Sequence, residues 1–356
     1  MENKPRTVKK EYRAIYLQNS KHLTITVFTY SYFELIIVPK SPFIESIRAE
    51  LRVRRYSLQT EKSYLFWIRN FIYFNDKRHP NDMGNAEIEQ FLSYLANQRK
   101  VSSSTQNQAL CAIIFVYKYT LKREIVGLAY SFTKQPRRMP CVLSEQEVRQ
   151  VLLHLKCKYW LITALLYGCG LRINEALKLR VKDIDFDNHT VFIFRGKGGK
   201  DRYSLLPKTL EDALINQIEY AKQIHNSDVT QGYGLTSLPA SLIRKYGNAA
   251  KDVSWQYVFP SSVRCVHPYD EYVCRHHIHE TAYRKQLRKA VIKTGIAKRI
   301  TAHTFRHSFA TQVLRSGADI RTVQDLLGHA DVKTTEIYTH VIGTKFGNTQ
   351  SPMDNI

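Results

Sequence analysis

From residue 41 onward apolar side chains return every three or four positions, the period of a helix with one buried face. Ser41 reads as an N-cap and Pro42 as the first helical residue. Phe43, Ile47 and Leu51 follow at i, i+4 and i+8, flanked by Arg48, Arg52, Arg54 and Arg55. The same period in Leu58, Tyr64, Leu65, Ile68, Phe71 and Ile72 predicts a helix over 57–74, and two more fit 86–98 and 105–121. These make a small helical domain over 41–130 with a basic surface.

The pattern breaks over 131–143, where Pro136, Arg137, Arg138 and Pro140 form a basic, proline-interrupted linker. Ser144 and Glu147 then spell a capping box ahead of Val148, Val151, Leu152 and Leu155. Further helices fit 159–167 and 171–179. At 191–194 the period changes to that of a strand. A turn, Gly196-Lys197-Gly198-Gly199, and a returning strand at 202–206 complete a hairpin. Helices resume at 210–224, an irregular stretch rich in Gly, Pro and aromatics runs over 232–270, and helices return at 275–294 and 303–316. The expected fold is mainly α with a small antiparallel β-sheet, in two domains: one helical, the second mixed α/β over 144–346. Residues 347–356 are a short polar tail.

Residues 1–40 fit neither domain. Their stretch 23–38 is strand-prone, and Pro39 and Pro42 separate it from the helical pattern beyond residue 41. It is too short and too rich in Thr and Tyr for a membrane span and includes Glu34. A signal-peptide reading is weaker than that of an accessory extension.

Composition narrows the classes. At 356 residues the chain has room for about two domains, and 44% hydrophobic residues exclude a disordered chain. The formal net charge of +22 points to a polyanion, nucleic acid first and an anionic membrane second. Six cysteines without a C-x-x-C pair form no disulfide framework and suggest a reducing compartment. Cys265, His267, Cys274, His276, His277 and His279 cluster in sequence, but their spacing matches no standard pair of zinc-ligand turns. No metal site is expected.

Six positions carry chemistry together that none carries alone. Arg172 follows a glycine turn and opens a helix. Lys197 sits at the hairpin tip. His303 and Arg306 share a helix face at i, i+3. His329 follows Gly328, and Tyr338 lies nine residues on. Around one phosphodiester the set is coherent: two guanidiniums clamp the non-bridging oxygens bidentately. A lysine protonates a leaving oxygen, and histidines hydrogen-bond the phosphate or move the nucleophile's proton. A cation beside the tyrosine hydroxyl favours phenolate over the phenol, whose ordinary pKa is about 10.

In type and order these residues resemble the tyrosine recombinase (phage-integrase-like) family. The stretch HTFRHSFAT at 303–311 is similar to its second conserved box, and LLGHADVKTTEIYTH at 326–340 to its nucleophile segment. The resemblance covers most of 41–346. It implies a helical, SAM-like core-binding domain and a catalytic domain that together close around DNA as four protomers. It implies Tyr338 as nucleophile forming a 3′-phosphotyrosyl link. Arg172 and Arg306 would stabilise the transition state, Lys197 would act as acid, and His303 and His329 would position the phosphate. Covalent storage of the bond energy makes ATP, metal and any other cofactor unnecessary. A DNA-binding protein without catalysis and a type IB topoisomerase are the alternatives.

A narrower resemblance is to integron integrases. Leu238-Pro239, Arg244-Lys245-Tyr246, the run WQYVFPS at 255–261 and Arg275-His276-His277 are similar to the extra segment those enzymes carry, here about 230–278. It implies that Trp255 and Pro268 pack on a base protruding from a folded single-stranded hairpin site and that His276 and His277 contact the site. Apart from either resemblance, the linker with Arg137 and Arg138 reads equally as an ordinary surface connection or as a tether lying along phosphates. The implied setting is the bacterial cytoplasm, at the nucleoid, and not a membrane. The tail departs from the family, with Val341 and Ile342 its only apolar anchors for a neighbouring subunit.

Overall fold

The computed structural model describes residues 41–128, 139–194, 196 and 200–339. The expectations for residues 1–40, Arg137, Arg138, Lys197 and the tail with Val341 and Ile342 lie outside them. The chain forms two compact units, Met1–Pro136 and Arg137–Ile356.

The first unit is four helices: α1 (Pro42–Val53), α2 (Leu58–Phe74), α3 (Asn85–Asn97) and α4 (Ser103–Phe115). A π-helical turn, Val116–Thr120, continues α4. Ser57 and Ser102 cap α2 and α4 by accepting from the backbone N–H of Thr60 and Thr105. The i, i+4 stripe read from the sequence becomes a core of Ile47, Leu51, Ile68, Phe71, Ile88, Phe91 and Ile113. The buried Glu61 carboxylate accepts from Arg48 and Arg52, each at 3.0 Å, so that charge is paired rather than stranded.

The second unit opens with α5 (Glu145–Leu153), capped by the Ser144–Glu147 box, followed by α6 (Cys157–Gly168) and the short α7 (Ile173–Leu177). Helix α6 is apolar on every side and lies in the core, where Leu161, Ile162, Leu165 and Leu166 are buried. Strands β1 (Ile184–Asp185), β2 (Thr190–Ile193) and β3 (Arg202–Leu205) make an antiparallel sheet in that order. Then come α8 (Glu211–Thr230), α9 (Ala240–Tyr246), the two-residue strands β4 (Cys265–Val266) and β5 (Val273–Cys274), α10 (Glu280–Thr294), α11 (Ala302–Arg315) and α12 (Ile320–Leu327).

Three elements depart from the pattern-based expectation. The helix expected over 171–179 is one turn and a half, because Arg172 is its cap rather than its second residue. The helix expected from 275 begins at Glu280, since Arg275 is held by Asp228 (2.5 and 2.6 Å) and His279 caps the helix through Thr281 N–H. The stretch expected to be irregular over 232–270 holds α9 and β4.

Candidate active site

Gly170 turns the chain into Arg172. Its φ of +63° lies in the left-handed region, and a Cβ there would stand 2.3 Å from Phe309 Cδ1, so only glycine fits between α6 and α11. Arg172 then caps α7. Its backbone N–H donates to Glu175 Oε2 (2.8 Å) and its Nη1 to Glu175 Oε1 (2.8 Å).

Glu175 organises the cations. Arg202, on β3, forks onto it with Nη2 to Oε2 at 2.6 Å and Nη1 to Oε1 at 3.0 Å, and Arg306 Nη1 stands 3.6 Å from Oε2. Burial raises the Glu175 pKa, but Arg202 and then Arg172 outweigh it and hold the carboxylate down at about 2. Arg202 also donates Nε to Leu326 O (3.0 Å), tying the hairpin to the end of α12. Arg306 is buried on α11. Its Nη1 donates to Gly170 O at 2.6 Å and its Nη2 to Leu327 O. Burial, with the Arg172 charge behind it, lowers Arg306 to about 9, so it stays cationic at pH 7.

Helix α12 ends at Gly328, and His329 turns its Nδ1 to Thr335 Oγ1 (2.9 Å). The His329 ring lies nearly parallel to Tyr338, with centroids 6.4 Å apart. Tyr338 is 1% exposed, and its hydroxyl meets His307 Nδ1 at 2.8 Å. The structure thus brings Arg172, Arg306, His329 and Tyr338 to one locality, bounded by α7, α11 and α12. His303 stands one turn before His307 on α11, with ring centroids 6.4 Å apart. Lys197, on the β2–β3 connection, is outside the described residues.

The phenolate expectation needs correction. Arg306 and Arg172 do pull the Tyr338 pKa down, but burial of the hydroxyl is the larger effect and leaves it raised. In the free protein Tyr338 is a phenol. Burial likewise lowers the histidines: His307 to about 4 and His329 to about 3, with partial desolvation lowering His303 before Arg306 and Arg172 add to it. At pH 7 His307 and His329 are neutral hydrogen-bonding groups rather than cations.

Sequence reasoning missed Glu175, Arg202 and His307. Glu175 had a signal, a carboxylate three residues after an exposed helix start, which is half of a capping box. His307 had one too, at i+4 from His303. Arg202 had none, since its partners lie 27 and 124 residues away.

Within residues 230–278 Trp255 is half-buried beside Tyr246, with ring centroids 5.2 Å apart. Lys182 Nζ stands 3.3 Å from the Trp255 ring centroid. Arg180 anchors the segment, donating to Trp255 O and to Ser237 O (3.0 Å) and lying over Tyr257. The His276 and His277 rings lie 4.0 Å apart, tilted by 48°, and direct Nδ1 to the backbone carbonyls of His277 and Ile278. Burial pushes His277 to about 3 and also lowers His276, so both are neutral at pH 7. Pro268 is exposed in the turn between β4 and β5. Among the described residues no group of three His, Cys, Asp or Glu side chains is placed to hold a metal ion, and no helix is long and apolar enough to cross a membrane.

A buried tyrosine, two guanidiniums and three imidazoles on a helical scaffold have the chemistry that phosphoryl transfer through an enzyme-bound tyrosine requires. Comparison with known proteins gives the class a family. Residues 142–344 match the phage integrase family and 43–126 the phage integrase N-terminal SAM-like domain. An Escherichia coli protein described as an integrase/recombinase is 44% identical over 312 residues, covering 87% of this chain and 93% of its own. The tyrosine recombinase XerD of Oceanobacillus iheyensis is 31% identical, covering 84% and 93%. In fold the chain resembles a lambda integrase dimer bound to a COC′ core site, with a TM-score of 0.56 at 12% identity, covering 87% and 96%. The chain belongs to the phage integrase family and is a tyrosine site-specific recombinase.

Proposed function

We propose that this recombinase is of the integron-integrase type, capturing or excising gene cassettes on double-stranded DNA and on folded single-stranded hairpin sites. Tyr338 attacks a DNA phosphate and forms a 3′-phosphotyrosine, and the leaving 5′-oxygen takes a proton from Lys197 to become a 5′-hydroxyl. Arg172 and Arg306 stabilise the charge on the non-bridging oxygens, while His303 and His329 hold the phosphate. A second strand's 5′-hydroxyl then reverses the step. The observation that supports the recombinase chemistry is that the buried Tyr338 hydroxyl feels the charges of Arg306 and Arg172, which share the carboxylate of Glu175.

The helical domain at 41–130 supplies a further DNA surface, with Arg137 and Arg138 of the linker 131–143 along phosphates and the catalytic chemistry in 144–346. Four copies assemble two sites. Structures of similar fold bound to DNA, including the XerH recombinase on its difH substrate, support DNA as the partner; the setting of this reading is the bacterial cytoplasm, at the nucleoid. For the single-stranded site, Trp255 and Pro268 receive a protruding base and His276 and His277 contact it. Because both histidines are neutral, they serve as hydrogen-bonding groups rather than phosphate cations. The Trp255 face next to Lys182 is already occupied, so a base stacks on the remainder of the ring.

Two measurements test this. Tyr338→Phe should bind DNA yet form no denaturant-resistant adduct; an adduct in that variant removes Tyr338 as nucleophile. Deleting the protruding bases from a hairpin site, or making Trp255→Ala, should weaken hairpin binding by about 1–3 kcal/mol per lost stack and spare double-stranded sites. Unchanged hairpin binding in both experiments removes the integron-type reading and leaves the recombinase.

A further inference from the structure

Resting on the reading of Tyr338 as nucleophile, we propose that His307, rather than His303 or His329, accepts the Tyr338 proton during DNA cleavage. The contact is direct: His307 Nδ1 lies 2.8 Å from the Tyr338 hydroxyl, within the reach a general base needs. The other two imidazoles are engaged differently. His329 spends Nδ1 on Thr335 and offers Tyr338 only a parallel ring at 6.4 Å, while His303 is a turn away on the exposed part of α11.

The surroundings suit a transient acceptor. Tyr338 faces His307 from the C-terminal element, His303 and Arg306 face it from its own helix, and His329 interacts with it from the end of α12. Burial, with the His303 and Arg306 charges behind it, keeps His307 neutral at working pH, and in the tautomer with its proton on Nε2 the Nδ1 lone pair accepts the Tyr338 hydroxyl. Burial and those charges also make its protonated form short-lived. As Oη bonds to phosphorus, the Oη–H proton moves to Nδ1. The phosphorus–O5′ bond breaks, and the leaving oxygen takes a separate proton from Lys197. Rejoining runs the same path backwards, with a 5′-hydroxyl attacking and His307 returning its proton to the departing Tyr338. A weak base held next to the nucleophile serves both directions, whereas a strong one would trap the proton after cleavage.

The test uses the full chain and a nicked duplex oligonucleotide recovered from a random library by adduct formation with the wild-type protein. Single-turnover adduct formation is followed from pH 6 to 9 for wild type, His307→Gln and His307→Ala. Glutamine keeps an acceptor for the Tyr338 hydroxyl but cannot take its proton. Both variants should lose about 100-fold at pH 7. They should also gain a rate rising about tenfold per pH unit, since deprotonation then falls to solvent, whereas wild type stays nearly flat. A substrate with sulfur in place of the bridging 5′-oxygen needs no acid and should rescue Lys197→Ala but not His307→Gln. Cleavage by His307→Gln within about twofold of wild type, a uniform loss with no new pH dependence, or rescue by the sulfur substrate each overturns the assignment. Failure of wild type to give any adduct overturns the reading of Tyr338 itself and this proposal with it.

Discussion

Replacing Glu175 by glutamine keeps the shape of the side chain and removes the charge that three arginines share. The carboxylate is buried, and its fall from 4.5 to about 2 on folding is worth about 3 kcal/mol at about 1.4 kcal/mol per pH unit. A second route gives the same size: deleting one member of a buried ion pair typically costs about 3–5 kcal/mol, because the remaining charges lose their partner. The sign follows from the depressed value. The stabilisation is fully present above about pH 4.5, fades as the pH falls, and is gone below about pH 2. Urea denaturation followed by tryptophan fluorescence reads it. Trp160 and Trp255 lie in the unit that holds Glu175 and Trp67 in the other, so a shared Trp67→Phe background confines the signal to the catalytic unit. At pH 7 Glu175→Gln should lower the midpoint by about 1–3 M, given slopes of about 1–3 kcal/mol per M, and the gap should shrink by about half as the pH falls to 3. An unchanged midpoint at pH 7, or a gap that stays constant down to pH 3, would refute the view that Glu175 holds the arginines by charge.

Gly170→Ala should destabilise the same unit by about 2–5 kcal/mol, adding left-handed strain to overpacking against Phe309; a neutral substitution in the same denaturation assay would show that α6 and α11 can part without cost. Arg172→Lys should slow adduct formation by at least about 100-fold while DNA binding is retained, measured by trapping on the nicked duplex; near-normal cleavage would remove the need for a planar fork.

Periodicity carried the scaffold well, because the buried faces of α1 to α6 are built from residues close in sequence, and the change to a two-residue period at Val191 marked the sheet. Local reasoning failed where a distant partner decides the backbone. Nothing near Arg275 announces that Asp228 will hold it out of a helix. The site divides in the same way. Arg172, His303, Arg306, His329 and Tyr338 were legible as a set because their order resembles a family. The protonation states were not, since they depend on burial: the sequence places cations near Tyr338, and only the fold shows that desolvation outweighs them.

That outcome bears on how Arg172 works. Among the described residues its Nη1 is the guanidinium nitrogen held by Glu175, and its Nε and Nη2 have no hydrogen-bond partner. Those two nitrogens form one edge of the planar fork, the edge suited to two oxygens of a phosphate. Arg306 differs: it is buried, and each terminal nitrogen donates one hydrogen to a carbonyl, of Gly170 and of Leu327. Its charge is therefore built into the wall of the site, while Arg172 presents donors. Glu175 couples the two, since it fixes which edge Arg172 turns outward and offsets the repulsion between the guanidiniums. When a phosphate enters, it brings negative charge and excludes water together. On the proposed mechanism, negative charge near Tyr338 disfavours phenolate, so the proton leaves as the phosphorus–oxygen bond forms rather than in advance of it. In that proposal, a phenol kept intact until that moment, with His307 already in contact, limits attack to the step in which DNA is in place.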